Sequence, residues 1–151
     1  NEEITNKINM ALMNNLTPIL CIGESARERD ANAVEEVLEF QLEVLKTVTD
    51  PASIISNKLM VAYEPIWAIG TGITPTVEQI DSTHKFIRNK LHSYFNQENS
   101  KIKILYGGSV NPSNASELFD LELVDGGLIG GASLDVRSFI ELCSIANTKS
   151  L

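Results

Sequence analysis

Glu64 closes an apolar run, "VAYE", and is followed at once by "PIWAIGTG". One carboxylate at the end of such a run suits general-base chemistry. Apolar surroundings disfavour its charged form, so its pKa rises toward a useful range. Three further clusters carry glycines: Gly23-Glu24, Gly107-Gly108-Ser109 and Gly130-Gly131. Glycine clusters let backbone N–H groups approach an anion closely, and a helix start adds a favourable dipole. A base beside a phosphate cradle suggests proton transfer on a small phosphorylated molecule. Bland readings stand beside this one. Glu64 fits a salt-bridged strand end equally well, Ser109 fits a plain helix cap, and Gly-Gly pairs are mostly turns.

The elements needed to bring these residues together can be read from periodicity. Ile4, Ile8, Ala11 and Leu12 recur at helical spacing. Thr17 to Glu24 reads as a strand buried on both faces, because its apolar residues do not alternate. Val34, Val37, Leu38, Leu42, Leu45 and Val48 mark one long helix ended by Asp50-Pro51. Lys58 to Glu64 is a second strand. Thr76-Val77-Glu78-Gln79 is a capping box that starts the next helix. Lys101 to Gly108 is a third strand, and Asn111-Pro112 starts a short helix. Asp125 to Gly131 is a fourth strand. A last helix carries Val136, Phe139, Ile140 and Cys143. Alternating helices and strands predict an α/β fold with a parallel sheet and right-handed crossovers, in one domain or part of one. In such a sheet all strand carboxyl ends share one rim. Glu24, Glu64 and the three glycine clusters fall on it.

Composition narrows the partners. The chain has 151 residues, a net charge of −8 and 43% hydrophobic residues. The acidity argues against nucleic acid and anionic membranes, which need a basic surface. Cys21 and Cys143 make no disulfide framework, so a reducing cytoplasm is the simplest location. Cys21 reads as core, and His84 and His92 read as surface or packing residues far from the rim. "GTG" lacks the third glycine of a dinucleotide fingerprint, and no ligand set for a metal is evident.

Together the motifs carry a resemblance. "LTPILCIGES", "AYEPIWAIGTG", "LYGGSV" and "DGGLIGGASL", in this order and spacing, resemble the triosephosphate isomerase family. The resemblance covers nearly the whole chain. It implies the second half, strands five to eight, of a (β/α)8 TIM barrel spanning residues 1–151. It implies an intramolecular aldose-ketose isomerase of glycolysis and gluconeogenesis, cytoplasmic, homodimeric and without cofactor or metal. Glu64 matches the base that interconverts dihydroxyacetone phosphate and glyceraldehyde 3-phosphate through an enediolate. Pro65, Ile66, Trp67, Ala68, Ile69, Gly70, Thr71, Gly72, Ile73, Thr74 and Pro75 match the mobile lid. Gly70, Ser109, Gly130 and Gly131 match phosphate donors. Tyr106 and Ser109 match residues that hold the lid shut. Glu24 resembles a structural carboxylate. Ile73 and Pro75 depart from the family's usual lid end, which implies altered stiffness.

The family's lysine and its histidine electrophile have no counterpart here, nor has the loop that reaches the partner subunit. A half-barrel would leave two open edges and an apolar inner face. Three readings follow: part of an isomerase inactive alone, a phosphate-binding half-barrel without turnover, and a split-barrel partner that needs an N-terminal half. Phosphoglycolate binding without isomerisation marks the second reading; a stable complex with the other half marks the third.

Overall fold

The computed structural model describes residues 1–56, 59–71, 73–95 and 102–148. Parts of the expected second and third strands (Lys58, Lys101) and Gly72 of the expected lid lie outside the described residues. Helix α1 (Glu2–Met13) leads into strand β1 (Ile19–Ile22). Short α2 (Ala26–Asp30) and α3 (Val34–Leu42) follow, then a 3-10 segment (Glu43–Thr47) and α4 (Pro51–Ser56). Strand β2 (Met60–Tyr63), a 3-10 turn (Ile66–Ala68) and α5 (Val77–Phe95) come next. The chain continues through β3 (Lys103–Tyr106), α6 (Pro112–Phe119), β4 (Gly126–Gly127), a 3-10 turn (Gly131–Leu134) and α7 (Val136–Thr148).

The sheet is parallel throughout, in the order β1-β2-β3-β4. Its register places Leu20, Val61 and Ile104 in one row and Ile22, Tyr63 and Tyr106 in the next. All six are buried. They face the helix layer, where Leu38, Leu42, Ile80, Ile87 and Leu91 complete the core. Rows of alternate residues, such as Cys21, Ala62 and Leu105, face the other way.

Several sequence expectations need correction. Strand β1 is not buried on both faces: Leu20 and Ile22 are buried, while Ile19 and Cys21 are exposed. The helix layer covers one face of β1, and the apolar Ile19 and Cys21 of its other face are uncovered. The expected long helix over Val34 to Val48 is cut at Leu42 and tightens into 3-10 geometry, although Leu42, Leu45 and Val48 are all buried. In α1, Ile4 is exposed and Thr5 takes the inward position. In α7, Val136 is 72% exposed and Ile140 60%, with Phe139 and Cys143 also exposed; Leu142 points inward instead. Here the apolar residues outnumber the inward positions, so periodicity alone chose the wrong face.

Caps explain where the other helices begin. Thr76 N donates to Gln79 Oε1 at 2.9 Å and Gln79 N to Thr76 Oγ1 at 3.3 Å, the expected capping box. Asn111 caps α6 with Pro112 in its first turn. Ser25 and Glu28 form a further capping box that starts α2. At the far rim, Arg88 donates to Ile102 O and to Asp125 Oδ2, both at 2.6 Å, and Ile104 N donates to Asp125 Oδ2 at 2.7 Å. That network fixes the start of β4 against β3 and α5.

Candidate active site

Glu64 follows the last residue of β2 and is half-buried. Its main chain still belongs to the sheet: Glu64 N donates to Ile22 O at 2.7 Å. Strand alternation turns its side chain away from Tyr63, onto the face of Cys21 and Ala62. Glycines lie on both sides. A Cβ added to Gly107 would lie 2.6 Å from Glu64 Cγ. One added to Gly23 would lie 1.7 Å from the Glu64 carbonyl oxygen. The carboxylate therefore occupies room that any other residue at Gly107 would fill. Desolvation, then a hydrogen bond to Glu64 and its charge, push the Cys21 thiol up to about 11. The thiol is a neutral donor beside the carboxylate.

Immediately after Glu64 the chain enters the expected lid. Pro65 is buried, and the 3-10 turn Ile66–Ala68 is tied down by Glu24. Ile66 N donates to the Glu24 carbonyl at 3.0 Å, and Trp67 Nε1 donates to Glu24 Oε1 at 2.7 Å. The same oxygen accepts from Arg29 Nε at 2.8 Å and Tyr63 OH at 3.2 Å. Arg29 also stacks over the Trp67 ring, 5.0 Å from its centroid. Glu24 is fully buried; these partners all meet Oε1, while Oε2 is buried without a hydrogen bond among the described residues. It anchors the start of the expected lid through Ile66 and Trp67. Beyond it, Ile69, Gly70, Thr71, Ile73 and Thr74 are exposed, and Pro75 is buried. Gly70 has φ +69°, a conformation that favours glycine. Thr71 Oγ1 donates to Trp67 O at 3.1 Å and accepts from Ile73 N at 3.2 Å.

The remaining expected residues share this rim. Ser109 sits in the turn between β3 and α6, with its carbonyl accepting from Asn114 Nδ2 at 3.0 Å. Gly130 and Gly131 open the 3-10 turn after β4, both exposed, with open space where a Cβ would stand. Tyr106 points to the helix side, its ring 6.3 Å from that of Tyr63 and 6.4 Å from that of His84. Its hydroxyl is buried without a hydrogen bond among the described residues. Burial, then the charge of Glu24, pushes it up to about 12. Neither Tyr106 nor Ser109 is hydrogen-bonded to the described lid residues. His84 is fully buried and His92 partly so; contrary to the expectation that it lies far from the rim, the His84 ring packs against Tyr63 and Tyr106, the last residues of β2 and β3.

A triosephosphate isomerase family model matches residues 1–146. The chain belongs to the triosephosphate isomerase family. It is 49% identical over 144 residues to triosephosphate isomerase of Vesicomyosocius okutanii, covering 95% of this chain and 57% of that protein. The enzyme of Alkalilimnicola ehrlichii is 47% identical over 146 residues, covering 96% and 57%. The crystal structure of triosephosphate isomerase from Bartonella henselae superposes with a TM-score of 0.75 at 41% identity. That match covers 87% of this chain and 51% of the other. The fold is thus that of a partial TIM barrel, and the chain spans little over half the length of these relatives.

Four residues around the candidate site escaped the sequence reading. Gly23 and Gly107 read as parts of an anion cradle, whereas they lie against Glu64 itself. Arg29 was hidden in a charged stretch; the Ser25-x-x-Glu28 capping box, which places it on α2, was the available signal. Gln41 carried no signal, lying between Phe40 and Leu42 in an ordinary amphipathic run.

Proposed function

We propose that the protein interconverts dihydroxyacetone phosphate and glyceraldehyde 3-phosphate, with Glu64 as the base. The observation that carries this reading is the position of Glu64, held at the rim between Gly23 and Gly107 and leading directly into the lid. The carboxylate takes a proton from the carbon beside the carbonyl and leaves an enediolate. The resulting carboxylic acid returns the proton to the adjacent carbon. Backbone N–H groups of Ser109, Gly130 and Gly131 bind the phosphate, joined by Gly70 when the lid closes. Closure excludes water and protects the enediolate from losing phosphate, a principle for which this family is itself a standard illustration. Tyr106 and Ser109 hold the closed lid.

In this reading residues 1–151 are strands five to eight of the barrel. The lysine and the histidine electrophile come from strands outside this chain, and the complete enzyme is a cytoplasmic homodimer of glycolysis and gluconeogenesis. Steady-state kinetics of Glu64→Asp in the full-length protein test it. Withdrawing the carboxylate by one methylene lowers kcat by about 10²-fold, while inhibition by phosphoglycolate changes little. Unchanged turnover would remove Glu64 from the role of base.

A further inference from the structure

Gly23 is buried at the point where β1 leaves the sheet. The carbonyls of its neighbours are turned to β2: Ile22 O accepts from Glu64 N at 2.7 Å, and Glu24 O accepts from Ile66 N at 3.0 Å. In a strand the peptide groups of successive residues alternate in direction. Gly23 therefore presents its N–H and C=O away from β2. Both are met there by one side chain. Gly23 N donates to Gln41 Oε1 at 2.8 Å, and Gln41 Nε2 donates to Gly23 O at 3.0 Å. The primary amide mimics the pairing a neighbouring strand would give, and it comes from α3. Gly23 lies close against the Glu64 main chain, since a Cβ there would fall 1.7 Å from the Glu64 carbonyl oxygen. A shift of Gly23 must move the main chain that carries Glu64 on one side and the first lid turn on the other.

We propose that Gln41 is a positioning residue for Glu64, acting from the helix layer through its two-point clamp on the Gly23 main chain. This rests on the reading of Glu64 as the catalytic base. The amide touches neither substrate nor Glu64. It fixes the strand end against which Glu64 is seated.

The test is steady-state kinetics of the full-length protein with Gln41→Met and Gln41→Glu, with thermal unfolding and exchange of the Gly23 amide proton followed alongside. Gln41→Met keeps length and apolar bulk but makes neither hydrogen bond; Gln41→Glu keeps an acceptor for Gly23 N–H. A displaced base costs turnover more than binding, so Gln41→Met lowers kcat by about tenfold, with KM within about twofold. Gly23 exchange accelerates. Gln41→Glu recovers part of both. Wild-type kcat in a folded Gln41→Met protein overturns the inference, as does a loss confined to thermal stability or a rise in KM alone. Glu64→Asp in the same assay separates the two ideas. If it turns over normally, the reading of Glu64 fails; if it is impaired and Gln41→Met is not, only the clamp fails.

Discussion

His84 shows how one buried side chain sets a pH dependence. Its Nδ1 lies 3.0 Å from the Leu123 carbonyl, which can only accept, so Nδ1 carries the proton. Nε2 is then an unprotonated nitrogen, buried with no partner among the described residues. Tyr63 and Tyr106 pack around the ring, with Asp81 and Arg88 on its own helix and Asp125 beyond Leu123. Burial holds the imidazole down to about 4, from an ordinary 6.5, against the opposing pull of the Leu123 carbonyl. The folded state therefore resists a proton that the unfolded chain accepts. The contribution of His84 is complete above pH 6.5, is lost as pH falls toward 4, and is flat below that. The loss amounts to about 3 kcal/mol. Denaturant unfolding at a series of pH values, for wild type and His84→Asn, measures it: the variant lacks this slope between 6.5 and 4. Equal slopes would show that His84 does not titrate there. The sequence left His84 as a surface or packing residue, and the structure makes it packing, on the same face as Ile80 and Ile87. Its orphaned nitrogen depends on Leu123, far along the chain, and no local pattern encodes that.

At the scale of elements, capping chemistry was the most legible feature. Thr76, Asn111 and Pro112 start α5 and α6 where their residue types demand. Faces were less legible. Apolar runs such as Ile19–Ile22 say that a strand is present, but which of its faces is covered is decided by distant helices. Two glycines carry a constraint that the sequence does not show, and at Gly107 it is the Glu64 side chain after the adjoining strand. Gly107→Ala tests this. Its methyl would stand 2.6 Å from Glu64 Cγ, so the carboxylate must move. The fold should persist by circular dichroism while kcat falls by about 10²-fold. Normal kcat would mean that Glu64 tolerates displacement.

The whole molecule is a four-stranded parallel sheet with its large buried side chains, such as Leu20, Tyr63 and Tyr106, facing one helix layer. Its other face carries Cys21 and Ile19 into the open. An inner face of this kind is what a closed barrel covers. The family was legible because four motifs lie in order along one chain, each at a strand end. The cross-strand supports of Glu64 were not, since Gly23, Gln41 and Gly107 are joined only by the fold. Proton transfer by Glu64 through an enediolate is the central claim, and the hydrogen supplied to the product tests it most directly. The full-length protein is allowed to convert dihydroxyacetone phosphate in D2O, and the aldehyde product is read by NMR. A carboxylic acid that exchanges its proton with solvent before returning it puts deuterium at the carbon that receives it, and deuterium in the product is the result the account predicts. Product free of deuterium from wild type, together with Glu64→Asp turning over at the wild-type rate, would contradict the account.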